Sequence, residues 1–399
     1  MTRKMAPVDE QLFVLMSGVD YGDEQHRETF GDELRKLLEE DRPLRVYLGI
    51  DPTATSLTLG HTVPLRKLQQ FQYYGHHCIF LIGDYTALIG DPSDKNKLRP
   101  MLTAEDIKQN EASYFEQASI ILDASKTELR HNSEWLGSLE FPDVIALMAK
   151  FTAAEMLRRD NFRKRFDDGD PIYLHEFLYA LMQGYDAYAL EVDVQVGGTE
   201  QLFNLMAGRK IQEDAGQRPH VPVTLPILVG LDGKERMSKS KGNFIGVDEA
   251  PGEQYGKAMS VPDEVVMDYF VLATNVPRNE LEDIGRQIKA DPMKMKKLLA
   301  RSIVAEFHGE DAARDAEAEF ERTVQRKELP QDIPAVEVGD GTSLLDVIVE
   351  QGLAPSKREA RRLFQQGAVH IDGTEAEAGA MATPGSVVQV GKRRWLRLE

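Results

Sequence analysis

Within forty residues, 44–83, the sequence changes its periodicity twice, and this alternation constrains the fold more than any other feature of the chain. The run "LRVYLGI" (44–50) is β-branched and aromatic enough to be a buried strand. "HTVPLRKLQQFQYYG" (61–75) then brings Leu65, Leu68 and Phe71 or Gln72 round at helical spacing, with Gly75 as a stop. "HCIFLIG" (77–83) returns to a short apolar run. Strand, helix and strand in so short a span predict a right-handed βαβ unit of a parallel sheet.

The pattern continues downstream. A helix is predicted from Thr103, where "TAED" has the form of a capping box. "DVQVGG" (193–198) reads as a strand running into a helix from Thr199, and "PVTLPILVG" (222–230) as one more strand before a basic loop. The first 230 residues are therefore expected to be doubly wound α/β, with ligands beyond the carboxyl ends of the strands. From 251 to 327 the strand signal gives way to helical runs such as "DEVVMDYFVLATNV" (263–276), "MKMKKLLARSIVAEFHG" (293–309) and "ARDAEAEFERTVQR" (313–326). A Pro/Gly-bearing linker over 328–340 and a small C-terminal domain over 341–399 complete the expected order.

Composition narrows the setting. The single cysteine, Cys78, rules out an intrachain disulfide and fits a reducing compartment. The apolar run at 12–16 is short and follows Asp9 and Glu10, unlike a secretory signal, and no stretch nears the roughly 18 apolar residues of a membrane span. A soluble cytoplasmic protein without a membrane partner is expected. The net charge of −18 argues against non-specific nucleic-acid binding. That charge is uneven: residues 341–399 hold eight Lys/Arg against seven Asp/Glu. A near-neutral tail with clustered arginines can still bind a polyanion locally.

Three stretches carry candidate chemistry. "TLGH" (58–61) lies between the first strand and its helix. Either it is a plain glycine turn with a surface histidine, or Gly60 admits a nucleotide to the helix N-terminus, where backbone N–H groups favour phosphate. "KERMSKSKGN" (234–243) gathers Lys234, Arg236, Lys239 and Lys241 between Gly233 and Gly242. It is a solvated basic loop or a mobile clamp for a polyphosphate. In "YALMQGYD" (179–186), Tyr179, Gln183 and Asp186 share one face of an apolar helix. They form a satisfied buried network or a pocket for a small polar ligand. Neither a Walker-type phosphate loop nor a G-x-G-x-x-G turn is present.

Together these residues resemble the bacterial-type tyrosyl-tRNA synthetases, a family of class I aminoacyl-tRNA synthetases. "TLGH" stands where the family has HIGH, and "RMSKS" where it has KMSKS; "DPTATSL", "TALIGDPSDK", "YALMQGYD" and "VGGTEQ" follow in family order. The similarity spans essentially the whole chain, and the tail resembles the RNA-binding domain of a small-subunit ribosomal protein. The resemblance implies a Rossmann-like catalytic domain over 1–225 with inserted dimerisation helices ("FPDVIALMAKFTAAEMLRRDNFRKRF"). A mobile loop and connection over 226–250, an α-helical anticodon-side domain over 251–327 and the small α+β RNA-binding domain would follow.

It also implies roles. Tyr47 and Asp186 match the pair that hydrogen-bonds the substrate phenol, and Asp91, Tyr179 and Gln183 the group around its ammonium, with Thr86 and Gln201 completing the tyrosine site. Gly49, Asp51, Gly60, Gly198 and Glu200 match positions lining ATP. Thr53, His61, Lys95, Arg99, Arg236, Lys239 and Ser240 match the groups on the reacting triphosphate. Expected partners are L-tyrosine, ATP with its Mg2+, tRNA(Tyr) and a second copy of the chain; no metal is expected on the protein itself. The nearest alternatives are the tryptophan-specific relatives, or a synthetase-like RNA-binding protein of altered activity.

Three departures from the family stand out. Glu200 replaces the usual Asp, Arg236 replaces Lys with a different donor geometry, and Thr58 replaces the first histidine of HIGH. Thr58 is expected to touch the triphosphate weakly or through water, with Lys95, Arg99 and the "RMSKS" cations carrying more of it. In the tail, "SKREARRLFQQG" should be a helix capped by Ser356. Lys357/Arg361 and Arg358/Arg362 would form exposed basic ridges for RNA, and Ala360, Leu363 and Phe364 the buried face.

Overall fold

The computed structural model describes residues 5–53, 55–92, 103–325, 333–339, 341–391 and 394–399. Lys95 and Arg99 lie outside these described residues. The chain divides into two compact units, Met1–Glu249 with Val261–Leu299, and Ala250–Ser260 with Ala300–Glu399.

In the first unit five parallel strands, β1 (Arg45–Ile50), β2 (His77–Ile82), β3 (Thr127–His131), β4 (Val194–Gly198) and β5 (Val221–Leu225), lie in the order β3-β2-β1-β4-β5. The chain lays down β1, steps outward to β2 and β3, then crosses back to place β4 on the other side of β1. The order therefore reverses between β1 and β4, and ligands of such sheets sit beyond the strand ends at that point. The predicted βαβ unit is present: the helix Leu59–Tyr74 joins β1 to β2 and stops at Gly75, whose φ of 92° is left-handed. Leu65, Leu68 and Phe71 are its buried stripe. The helix Ala104–Ala118 opens with the expected box between Thr103 and Asp106.

β3 is not apparent from sequence. Its residues, "TELRH", are intermediate or exposed, and it pairs only with β2 as an edge strand, so neither apolar alternation nor a continuous apolar run marks it. From β3 the chain makes a long helical excursion through Phe141–Met148, Ala153–Leu157 and Asp160–Asp168 to Leu174–Ala189, which leads into β4.

The second unit contains a sheet of order β6-β10-β9-β7-β8, built from β6 (Ala335–Val336), β7 (Val369–Ile371), β8 (Thr374–Glu375), β9 (Val387–Val390) and β10 (Arg394–Leu398). The helices Leu344–Glu350 and Lys357–Gln365 accompany it, and Leu344, Ile348, Ala360, Phe364, Val388 and Leu398 share its core. β6 falls within the stretch expected to be linker; it runs parallel to β10, so the C-terminal sheet begins before residue 341. The helical segment Pro292–Phe320 is interrupted at Gly309 (φ 87°), where the sequence runs also divide. Among the described residues no helix is long and apolar enough to cross a membrane.

Candidate active site

A pocket opens beyond the carboxyl ends of β1 and β4. Its lining includes Gly49, Asp51, Thr53, Thr58, Gly60, His61, Thr86, Asp91, Tyr179, Gln183, Asp186, Gly198, Glu200, Gln201 and Arg236. Most residues singled out from sequence thus meet in one place, although they come from segments up to 187 positions apart.

Asp51, directly after β1, is gripped from two sides. Its Oδ1 accepts from the Thr86 hydroxyl at 2.8 Å and its Oδ2 from the Tyr179 hydroxyl at 3.0 Å. Burial first, then the nearby Asp51 charge, pushes the Tyr179 phenol well above its ordinary range, so it stays a donor. Gly83 makes this packing possible: a Cβ there would lie 2.1 Å from Asp51 Oδ1 and 2.5 Å from Thr86 Oγ1.

Deeper in, Asp186 is 3% exposed and accepts from Trp135 Nε1 at 2.8 Å and from Asn132 Nδ2 at 3.2 Å. Burial drives its carboxyl far upward, and these two donors oppose that shift. Tyr47 is not part of the lining. It packs with Ile79, Leu81 and Ala187, and its hydroxyl donates to Gln183 O at 3.4 Å. Burial, then the Asp186 charge, raises the Tyr47 phenol.

A chain of amides links the other lining groups. Asn204, wholly buried, donates to Gln183 Oε1 at 2.9 Å and to Gln201 Oε1 at 2.8 Å, and Gln201 Nε2 donates to Asp91 Oδ2. Behind Asp91 lies Arg159, 3.7 Å away and nearly buried, its guanidinium over the rings of Phe162 and Phe203. The helical stripe of Tyr179, Gln183 and Asp186 is therefore both a networked cluster and a pocket wall.

At the mouth, Thr58 caps the helix Leu59–Tyr74. Its N–H donates to His61 Nδ1 at 3.0 Å, and its hydroxyl oxygen lies 2.9 Å from the same nitrogen. Thr58 is 2% exposed, so its position is set by protein contacts. A Cβ on Gly60 would meet no protein atom closer than 3.5 Å. Nothing in the packing demands glycine there, which fits close approach of something from the pocket. The Glu200 carboxylate folds over Gly198.

The basic loop is braced from within. Asn243 accepts from Ser238 N–H at 2.8 Å and donates to Asp232 Oδ2 at 2.6 Å, and Lys241 pairs with Glu235. Arg236 reaches the pocket, whereas Lys239 and Ser240 are not in its lining. Lys239 Nζ instead donates to the Ser56 carbonyl at 2.6 Å and to the Ser56 hydroxyl, and burial lowers its pKa. Ser240 Oγ shares a hydrogen with Ser238 Oγ at 2.9 Å. Cys78 has no place here: buried in β2, its thiol is pushed up to about 12.

In the second unit the helix Lys357–Gln365 is capped by Ser356, as expected. Arg358 and Arg361 are exposed, Lys357 pairs with Asp346 at 2.8 Å and Arg362 with Glu359 at 2.5 Å. Two of the four cations thus share their charge with carboxylates.

Sequence reading missed Asn132, Trp135, Arg159 and Asn204. The first two follow the unrecognised edge strand, and their contacts with Asp186 span more than fifty residues. Only Asn204 left a local trace, one helical turn beyond Gln201 in "TEQLFN".

Comparisons with known proteins identify the family and the fold. Residues 39–325 match the family model described as tRNA synthetases class I (W and Y), and residues 325–383 match a tyrosine--tRNA ligase SYY-like C-terminal domain. A tyrosine--tRNA ligase of Symbiobacterium thermophilum is 47% identical over 100% of this chain and 99% of its own. One of Thermotoga maritima is 47% identical over 92% and 93%. Among solved structures, a C-terminally truncated mitochondrial tyrosyl-tRNA synthetase of Aspergillus nidulans aligns with TM-score 0.63 and 25% identity, over 79% of this chain and 93% of that one.

Proposed function

The chain belongs to the W and Y family of class I tRNA synthetases, and on that premise we infer how its pocket divides the work of a tyrosine–tRNA ligase. ATP is a substrate of this family, and Mg2+ comes with it as part of that substrate. The carboxylate of tyrosine attacks the α-phosphorus of ATP, one Pα–O bond forms as the bond to the β-phosphate breaks, and pyrophosphate leaves. A ribose hydroxyl at the end of tRNA(Tyr) then takes the tyrosyl group and AMP departs. No protein nucleophile is needed, so rate comes from alignment and from stabilising the charge that moves onto pyrophosphate.

The observation that carries the amino-acid reading is the buried Asp186 with its two donors, Trp135 and Asn132. A carboxylate held this way accepts a phenolic O–H, and Tyr47 lies close enough for its phenol to be shifted by that charge. A site built to hydrogen-bond a hydroxyl rejects the analogue that lacks it; tyrosyl-tRNA synthetases themselves are the standard example. Asp91, Tyr179 and Gln183 would take the ammonium, with Thr86 and Gln201 behind them. Gly49, Asp51, Gly60, Gly198 and Glu200 would line ATP, and Thr53, His61, Arg236, Lys239 and Ser240, with Lys95 and Arg99, would meet its phosphates.

Lys357, Arg358, Arg361 and Arg362 are assigned to the tRNA backbone. The exposed Phe141, Ile145 and Met148 at i, i+4 and i+7 of one short helix support a homodimer. Charging tRNA, together with a single buried thiol, supports a cytoplasmic location. ATP–pyrophosphate exchange with each of the twenty amino acids tests the whole reading. Tyrosine should be the one that stimulates it, and stimulation by tryptophan instead would overturn it.

A further inference from the structure

We propose that Thr58 is a positioning residue for His61, holding its imidazole in the tautomer that carries the proton on Nε2, the nitrogen away from Thr58. What His61 then does for ATP rests on the ligase reading; what Thr58 does to His61 does not.

The Thr58 amide hydrogen can only be donated. Thr58 N–H points to His61 Nδ1 at 3.0 Å. A backbone amide cannot accept, so this contact is made only while Nδ1 presents its lone pair and the one proton of a neutral imidazole sits on Nε2; the amide favours that tautomer but does not by itself fix it. The Thr58 hydroxyl, 2.9 Å from the same nitrogen, is then a donor as well. A proton on Nδ1 would face an amide hydrogen and forfeit that contact. The arrangement has capping-box form, with a histidine ring where Glu or Gln usually reaches back to the N-cap amide.

Thr58 can enforce this because it is itself held. Leu59 N–H donates to Ile245 O at 2.8 Å and Val247 N–H to Leu57 O at 3.2 Å, bridging Thr58 to Gly246. The helix start, the segment after the basic loop and the imidazole thus form one braced corner beside the pocket. An imidazole at position 58 would replace this hydroxyl donor with a ring that has its own tautomers. The threonine is therefore a lock on the second histidine of the motif, and its hydroxyl is occupied there.

Imidazole nitrogen NMR on the full chain with labelled histidine tests this, since pyridine-like and pyrrole-like nitrogens resonate far apart. His61→Gln assigns the His61 signals among the nine histidines. Wild type and Thr58→Ser should show a pyridine-like Nδ1 and a pyrrole-like Nε2. Thr58→Val, which keeps the amide and loses the hydroxyl, should shift both signals toward a tautomer mixture. The same variant should lower kcat of tyrosine-dependent pyrophosphate exchange about fivefold, the weight of one neutral hydrogen bond, with KM for ATP nearly unchanged. Thr58→Ser should recover most of that loss. Unmoved His61 signals in Thr58→Val, or a rise in KM alone, would overturn the proposal. If wild type itself showed no exchange, the ligase reading would fail while the NMR still judged the lock.

Discussion

Trp135 and Asp186 are joined by a 2.8 Å hydrogen bond from the indole nitrogen to a carboxylate that is almost completely buried. Burial favours the protonated acid and the indole favours the carboxylate. Trp135→Phe removes a stabiliser of the charged form, so the Asp186 pKa rises further. The acid limb of kcat/KM for tyrosine should then move to higher pH. The pH profile of exchange measures this; a limb that stays in place or moves to lower pH contradicts it.

Lys239 rests on Ser56 and must leave it to reach a phosphate. Ser56→Ala removes one of its two acceptors and spares the carbonyl. KM for ATP should fall by up to about fivefold, one hydrogen bond's worth. An unchanged or increased KM would show that the contact does not compete with ATP.

His61→Ala should lower the rate of adenylate formation by about 10²–10³-fold, the loss seen when a donor to developing charge is removed. Thr58→His should cost far less, because the donor on His61 remains in the pocket. Single-turnover adenylate formation compares the two, and equal losses would reverse the roles.

Removing residues 333–399 deletes the whole second sheet, β6 included. Pyrophosphate exchange should survive and aminoacylation of tRNA should weaken. Parallel loss of both would mean that the C-terminal module is needed for the first step.

Ile145→Asp places a carboxylate among the exposed Phe141 and Met148. Sedimentation equilibrium should show the mass halved relative to wild type at the same concentration. A variant that sediments like wild type would move the dimer contact elsewhere.

Much of the first unit was legible because its signals are local. β1, β2 and the helix Leu59–Tyr74 announce themselves by periodicity and by Gly75. The pocket lining was legible for a different reason: Asp51, His61, Gln183 and Gly198 sit beside glycines or at element ends, which leave marks in short motifs. Asn132, Trp135 and Arg159 leave no such mark. Their partners lie across the sheet, so only the folded chain pairs an indole with a carboxylate 51 residues away. Thr58 was legible as a departure, but its relation to His61 depends on a ring orientation that sequence does not encode.

Asp51 accepts from Tyr179 and Thr86, which we assign to tyrosine, and lies in the same pocket lining, where we assign it to ATP. On that assignment one carboxylate serves both substrates, and whatever one of them does to its orientation is felt by the other. Such linkage is reciprocal: the factor by which bound tyrosine changes ATP affinity must equal the factor by which bound ATP changes tyrosine affinity. Tyr179→Phe, which frees Asp51 from one of its anchors, should alter that shared factor as well as tyrosine affinity alone.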